Sequence, residues 1–366
     1  MKHYIVGPVE LYDSTKNVLN KGYTYFRTEN YGNMVKECLN KLSDYLGNPV
    51  ENSIIYLAAS GTGAMDAVVD NCMTNQDKAL VINGGNFGHR FCELLQWHNI
   101  NFDSIDLKWN EVLTPKDLEP YENKGYTTFF INHDETSSGK LYDMELVSKF
   151  CKRNNMILVV DAISSFLADE YDMQKYGIDV TIISSQKGLC LSPGMSLVAF
   201  SKRMKDKVLS NPAPSSYYFN FKNYFSNIER GQTPYTPTVT IMYELKDMID
   251  KIENAGGVEV WRNYVKQKCD YFRQKAKSLE LIIPDYPKSN TLTPLYFEEV
   301  DASEIVKLLR EKFEIFVNPC GGDLARHLLR VAHIGNTTIE DIDDLLEKLM
   351  LSIKEIKNRE LINDRK

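Results

Sequence analysis

Two stretches, Met156-Ile157-Leu158-Val159-Val160-Asp161-Ala162 and Val180-Thr181-Ile182-Ile183-Ser184-Ser185-Gln186-Lys187-Gly188, decide how this chain folds. Each is a short apolar run that stops at a charged or polar residue. Runs that are apolar at every position, rather than at every second one, belong to strands covered on both faces. Residues 53–59, 79–82 and 127–132 read the same way, with 197–200 as a further strand. Amphipathic segments at 64–73, 88–98, 143–154 and 173–177 stand between them and read as helices. Strands alternating with helices predict an α/β fold built on a mostly parallel sheet with helices on both faces.

Beyond residue 211 the texture changes. Pro212, Pro214, Pro234 and Pro237 interrupt any long element, and six aromatics crowd into 217–225. The segment 211–240 is therefore expected to be a long irregular loop of the kind that carries function. Helical patterns at 241–253 and 258–277 lead to strands at 293–298, 316–318 and 328–332 and helices at 302–312 and 338–357, a small α+β second domain. The polar end, 358–366, reads as a fraying helix terminus. The expected division is an N-terminal segment 1–20, a large domain 21–255 and a small C-terminal domain 256–366. At 366 residues and 43% apolar, the chain has material for two cores.

Composition narrows the function classes. With 25% charged residues, 20 glycines and 13 prolines, the chain is not collagen-like, low-complexity or disordered. A net charge of −7 argues against nucleic acid as a partner. No run of about 18 apolar residues predicts a membrane span, and Met1 to Pro8 lacks a signal peptide's apolar core. Seven cysteines without CxxC spacing are expected to be reduced thiols in the cytoplasm. The six histidines form no HxxxH or Cys/His grouping, so no metal site is expected.

Three short features carry chemistry. Ala59-Ser60-Gly61-Thr62-Gly63-Ala64-Met65 lies between a strand and a helix, where backbone N–H groups, the helix dipole and two hydroxyls suit a phosphate. No Gly-Lys-Ser/Thr follows, and Asp66 stands where a dinucleotide fingerprint has its third glycine. Taken alone, the turn serves equally as a plain strand-to-helix connection. Asp161 ends a very apolar strand, the place where open α/β sheets bind ligands; taken alone, it is equally a helix N-cap. Lys187 leaves the next apolar strand. Lysines ordinarily stay solvated, but one held in a low-dielectric, electropositive setting has a lowered pKa and a neutral amine able to attack a carbonyl. Together these are the parts that hold pyridoxal phosphate. The lysine forms a Schiff base, the aspartate keeps the pyridine nitrogen protonated so the ring acts as electron sink, and the turn takes the phosphate.

The ordered series Ser60-Gly61-Thr62-Gly63, Asn83-Gly84-Gly85-Asn86-Phe87-Gly88-His89-Arg90, Glu135-Thr136-Ser137-Ser138-Gly139, Asp161-Ala162-Ile163-Ser164-Ser165 and Ser184-Ser185-Gln186-Lys187 resembles that of the class-V, fold-type I pyridoxal-phosphate aminotransferases. The chain is similar to the alanine–glyoxylate and 2-aminoethylphosphonate transaminases from Gly7-Pro8 to Arg330-Val331-Ala332. The resemblance implies a large, mainly parallel seven-stranded sheet domain and a smaller α+β C-terminal domain. It implies Lys187 as Schiff-base lysine and proton carrier, Asp161 on the pyridine nitrogen, Phe87 stacked on the ring and Ser137 at the phenolic oxygen. Ser60, Gly61, Thr62 and Gln186 would hold the phosphate, joined by Tyr235 and Thr236 from the other subunit of an obligate homodimer. Arg330 would clamp the substrate carboxylate with its bidentate fork, Gly7 would line the substrate site, and Arg27 would be a second anion anchor at its mouth.

Plainer readings stay open beside these. Phe87 also reads as a core aromatic, Arg330 as an ion-pair arginine, 217–225 as interface packing, and Gly7-Pro8 as a simple turn. The expected reaction passes an amino group from a small amino acid or an aminophosphonate to a 2-oxo acid such as pyruvate or glyoxylate. The alternative, 2-aminoethylphosphonate–pyruvate transamination specifically, would use an anion pocket of Arg27, His89 and Arg90. A cysteine desulfurase or related lyase is a further alternative; Gln186 stands where those enzymes have histidine, and Cys320 in Pro319-Cys320-Gly321-Gly322 is its only candidate nucleophile. A non-catalytic anion-binding module would use only the turn at Ser60, leaving Asp161 and Lys187 without a purpose.

Overall fold

The computed structural model describes residues 1–363. In chain order the strands are β1 (Lys2–Tyr4), β2 (Ile54–Leu57), β3 (Lys78–Asn83), β4 (Asn101–Asp106), β5 (Thr128–Asn132), β6 (Asp134–Glu135), β7 (Lys140–Leu141), β8 (Ile157–Asp161), β9 (Val180–Ser184), β10 (Ser196–Phe200), β11 (Leu292–Tyr296), β12 (Ile315–Pro319) and β13 (Leu328–Ala332). Seven of them form one sheet in the order β2-β10-β9-β8-β5-β3-β4. All neighbours in it are parallel except β10, which runs against both β2 and β9. Side chains along β5 and β9 are buried at every position, as uniformly apolar runs require when helices cover both faces.

One apolar cluster, with Leu80, Ile82, Phe129, Leu158 and Val160, fills one face of the sheet. A second, with Ile55, Val81, Phe130, Val159 and Ile182, fills the other. Successive residues of β8 therefore alternate between two cores, which fixes the register. A third cluster, with Leu295, Leu309, Leu329 and Leu345, holds a four-stranded sheet in the order β1-β12-β13-β11. That sheet draws its edge strand from the N-terminus, since Lys2, His3 and Tyr4 pair in parallel with Ile315, Phe316 and Val317.

Two stretches with other expectations from the sequence are helical. The segment expected to be irregular contains the helix Phe221–Ile228, whose Phe221, Tyr224, Phe225 and Ile228 are buried at helical spacing behind an Asn220 N-cap. At the far end the helix Ile339–Asn363 continues through most of the stretch expected to fray; Asp364, Arg365 and Lys366 lie outside the described residues. No helix among the described residues is long and apolar enough to cross a membrane.

Candidate active site

β5, β8 and β9 are parallel neighbours, so the polar residues that end their apolar runs lie at the same end of the sheet. Ser60 opens the helix Gly61–Cys72 and accepts a bond from the Gly63 N–H (3.3 Å). A Cβ at Gly61 would lie 2.6 Å from Ile163 Cδ1 and 3.4 Å from Ser184 Cβ. The turn thus packs directly on the residues that follow Asp161 and precede Lys187, and a side chain at Gly61 would require Ile163 to move. Gln186 is beside it, its side-chain oxygen accepting from Ser184 Oγ (2.7 Å).

Asp161 is buried, and both its oxygens are held: Oδ1 accepts from the Ile163 N–H (2.8 Å) and Oδ2 from Asn132 Nδ2 (2.7 Å). Burial raises this carboxyl to about 6, against the pull of the two donors. Burial likewise lowers the Lys187 amine to about 8; Asp161 opposes that shift, while the charges of Arg330 and Arg90 reinforce it. Each group acts on the other's ionisation. Gly7 closes over the lysine, and a Cβ there would stand 2.6 Å from Lys187 Cδ.

The loop after β3 brings Phe87. Its close approach explains the glycines: a Cβ at Gly85 would lie 2.4 Å from Ser137 Oγ, and one at Gly88 would lie 2.4 Å from the Ile82 carbonyl oxygen. The buried Glu135 carboxylate accepts from the Gly88 N–H (3.0 Å), the Phe87 N–H (3.4 Å) and Ser137 Oγ (2.5 Å). A carboxylate on the first turn of the helix Asn86–Trp97 is favoured by its dipole, and it ties Phe87 to Ser137. Arg90 lies over the Phe87 ring (5.0 Å to the centroid) and donates to Thr62 Oγ1 (3.2 Å), so it spans the space between ring and turn.

Arg330, on β13, donates through Nη1 to the Thr136 carbonyl (2.7 Å) and through Nη2 to the Pro319 carbonyl, while its Nε has no partner among the described residues. Cys320 sits beside it with Sγ 3.5 Å from the Ser137 carbonyl oxygen; burial pushes this thiol up, with Arg330 pulling the other way. The other residues with expected roles lie further out. Arg27 is exposed and donates to the carbonyls of Thr233 (2.7 Å) and Pro234 (3.2 Å). His89 faces outward opposite Glu93. Tyr235 stacks on Tyr218 (5.0 Å between centroids) beside Tyr217, which is 80% exposed, and Thr236 next to it is exposed.

Sequence reasoning passed over Asn132 and Glu135, although Asn132 carries the same signal as Asp161, a polar residue ending an apolar strand. The residues present fit pyridoxal phosphate: the turn at Ser60 offers N–H and hydroxyl donors, Asp161 is a carboxyl with a donor on each oxygen, and Lys187 is a partly neutral amine.

Comparison with known proteins agrees with this geometry. The family model described as aminotransferase class-V matches residues 9–345. A soluble hydrogenase 42 kDa subunit from Anabaena cylindrica is 27% identical over 358 residues, covering 96% of this chain and 93% of that protein. An uncharacterized aminotransferase from Methanocaldococcus jannaschii is 27% identical over 362 residues, covering 96% of this chain and 92% of its own length. The crystal structure of alanine–glyoxylate aminotransferase from Nostoc superposes with a TM-score of 0.89 at 22% identity, covering 96% of this chain and 94% of that one. The chain has the fold-type I architecture and belongs to the class-V aminotransferase family; it is a transaminase.

Proposed function

We propose that this transaminase moves an amino group from a small amino acid to a 2-oxo acid of the pyruvate or glyoxylate type, with pyridoxal phosphate bonded through its aldehyde carbon to Lys187. The observation that supports the proposal is the packing of the Ser60 turn on Ile163 and Ser184, between Asp161 and Lys187 in the chain, with the charges of Asp161 and Arg330 acting on that lysine. When bound, the cofactor supplies the electron sink. The chain's own residues bind and orient. Ser60, Gly61, Thr62 and Gln186 would hold the phosphate, Phe87 would pack on the ring and Ser137 would serve the phenolic oxygen. Asp161 faces the ring nitrogen as a carboxylate and keeps its proton in place. The Lys187 amine, partly neutral near neutral pH, accepts and returns the proton from the substrate's α-carbon. Arg330 takes the substrate carboxylate with its fork. Gly7 walls the substrate site.

Arg27 donates to the Thr233 and Pro234 carbonyls, and we assign it the part of holding the turn at 233–235. That turn leaves Thr236 exposed and Tyr235 half-buried against Tyr218, and we assign both to the phosphate site of a second copy in a homodimer. The supporting observation is the exposed aromatic surface at Tyr217 and Tyr218 beside them.

The test is a panel of amino donors against pyruvate and glyoxylate, followed by the visible spectrum of the protein-bound cofactor. Alanine or serine should exchange with glyoxylate or pyruvate. Borohydride should fix the chromophore to wild-type protein and leave Lys187→Ala unlabelled with its fold intact. Sulfide released from cysteine without a 2-oxo acid would assign the site to lyase chemistry instead.

A further inference from the structure

Asp161 does not stand alone at the end of its strand. Asn132 and Asp161 are register partners on the adjacent parallel strands β5 and β8, each the last residue of its strand. Asn132 is 1% exposed, and its Nδ2 donates to Asp161 Oδ2 at 2.7 Å. The amide can point only one way: turned over, it would set its own oxygen against the carboxylate. Its Oδ1 is left buried without a partner among the described residues, an arrangement that costs stability. A leucine or valine would fill the same space without that cost.

The surroundings show why a donor is needed. The ionisable groups acting on Asp161 are Lys187, which favours its charged form, and Glu135, which opposes it. Tyr171, whose hydroxyl is paired with Thr181, also lies close enough to feel its charge. His133, next to Asn132, is held neutral by burial and bonds Ser165. Against burial and Glu135, the bonds that hold the carboxylate ionised are the Ile163 N–H and the Asn132 amide. The first belongs to the backbone; the second depends on the side chain at 132.

We propose that Asn132 is a positioning residue for cofactor binding, fixing Asp161 as an oriented carboxylate opposite the ring nitrogen. The inference rests on the reading of the cleft as a pyridoxal-phosphate site. It predicts that position 132 sets the pH range over which the ring nitrogen keeps its partner, through Asp161 and without touching the reacting atoms.

The experiment compares the full-length wild type with Asn132→Leu and Asn132→Asp. Asp161 protonation is read from the carbonyl infrared band that Asp161→Asn removes, and cofactor affinity is read by absorbance titration across pH. Asn132→Leu should move the Asp161 midpoint upward by about one pH unit and weaken cofactor binding about twofold at about pH 7 and about tenfold at about pH 5. Asn132→Asp, nearly isosteric, should move it further, because two facing carboxyls must share a proton. A purely structural role gives the opposite order, with the isosteric variant near wild type; that order, or an unmoved midpoint in the Leu variant, overturns the proposal. If Asn132→Leu fails to fold, the Asp variant decides alone. Failure of the wild type itself to bond pyridoxal phosphate at Lys187 would overturn the functional reading instead.

Discussion

At the scale of single residues, the site is built on two groups held away from their preferred ionisation. Burial raises Asp161 to about 6 from an unfolded value near 3.8. Between those values the folded state binds more protons than the unfolded state. The carboxyl therefore favours folding below about pH 4, and this advantage is lost as pH rises through about 6, leaving a penalty of about 3 kcal/mol above it. Asp161→Asn should accordingly raise the melting temperature of the cofactor-free protein at about pH 8 and leave it unchanged at about pH 4, while cofactor affinity falls. Calorimetry at the two pH values checks this; equal shifts at both would mean that Asp161 is not destabilised by its surroundings. Lys187, lowered to about 8, should capture pyridoxal phosphate covalently at a rate that levels off near pH 8 rather than above 10. Arg90→Met removes one of the charges that depress the amine, so the midpoint of that rate profile, followed by stopped-flow absorbance, should move upward.

At the scale of elements, close packing sets the cleft. The helix Asn86–Trp97 sits so near β3 that a Cβ at Gly88 would meet the Ile82 carbonyl oxygen at 2.4 Å, and backbone cannot rotate aside as a side chain can. Gly88→Ala should cost about 1–3 kcal/mol by overpacking and weaken cofactor binding by displacing Phe87. Thermal unfolding and an absorbance titration measure the two effects; a fully stable variant with normal affinity would show that the helix adjusts freely. The central strands were legible because full burial on both faces leaves no polar position to confuse the pattern. The edge strand β4 was not read, because five of its six positions are at least partly open to solvent and its sequence, Asn101-Phe102-Asp103-Ser104-Ile105-Asp106, has no apolar run. The helix Phe221–Ile228 was hidden differently. Flanking prolines and a dense run of aromatics masked an ordinary 3.6-residue period that was present all along.

At the scale of the whole molecule, the first strand serves the C-terminal region: β1 completes the small sheet, and the segment after it passes Gly7 over Lys187. Substrate site and fold closure therefore share one piece of backbone. The proposed homodimer makes a mass of twice 42.0 kDa the expected result of light scattering. Thr236→Ala should lower cofactor retention with little change in melting temperature, since the residue is exposed within its own subunit. A monomer that holds the cofactor fully would remove the shared site.

By itself the sequence determined the α/β class, the core strands, the turn at Ser60 and the two strand-end residues Asp161 and Lys187, because burial and backbone geometry are imposed locally, residue by residue. Only the tertiary structure decided what those residues meet. Asn132 against Asp161, Glu135 under Phe87, Arg90 between ring and turn, and Arg27 bonded to carbonyls are contacts between segments far apart in the chain. Their distances follow from strand order and packing, which no local pattern encodes.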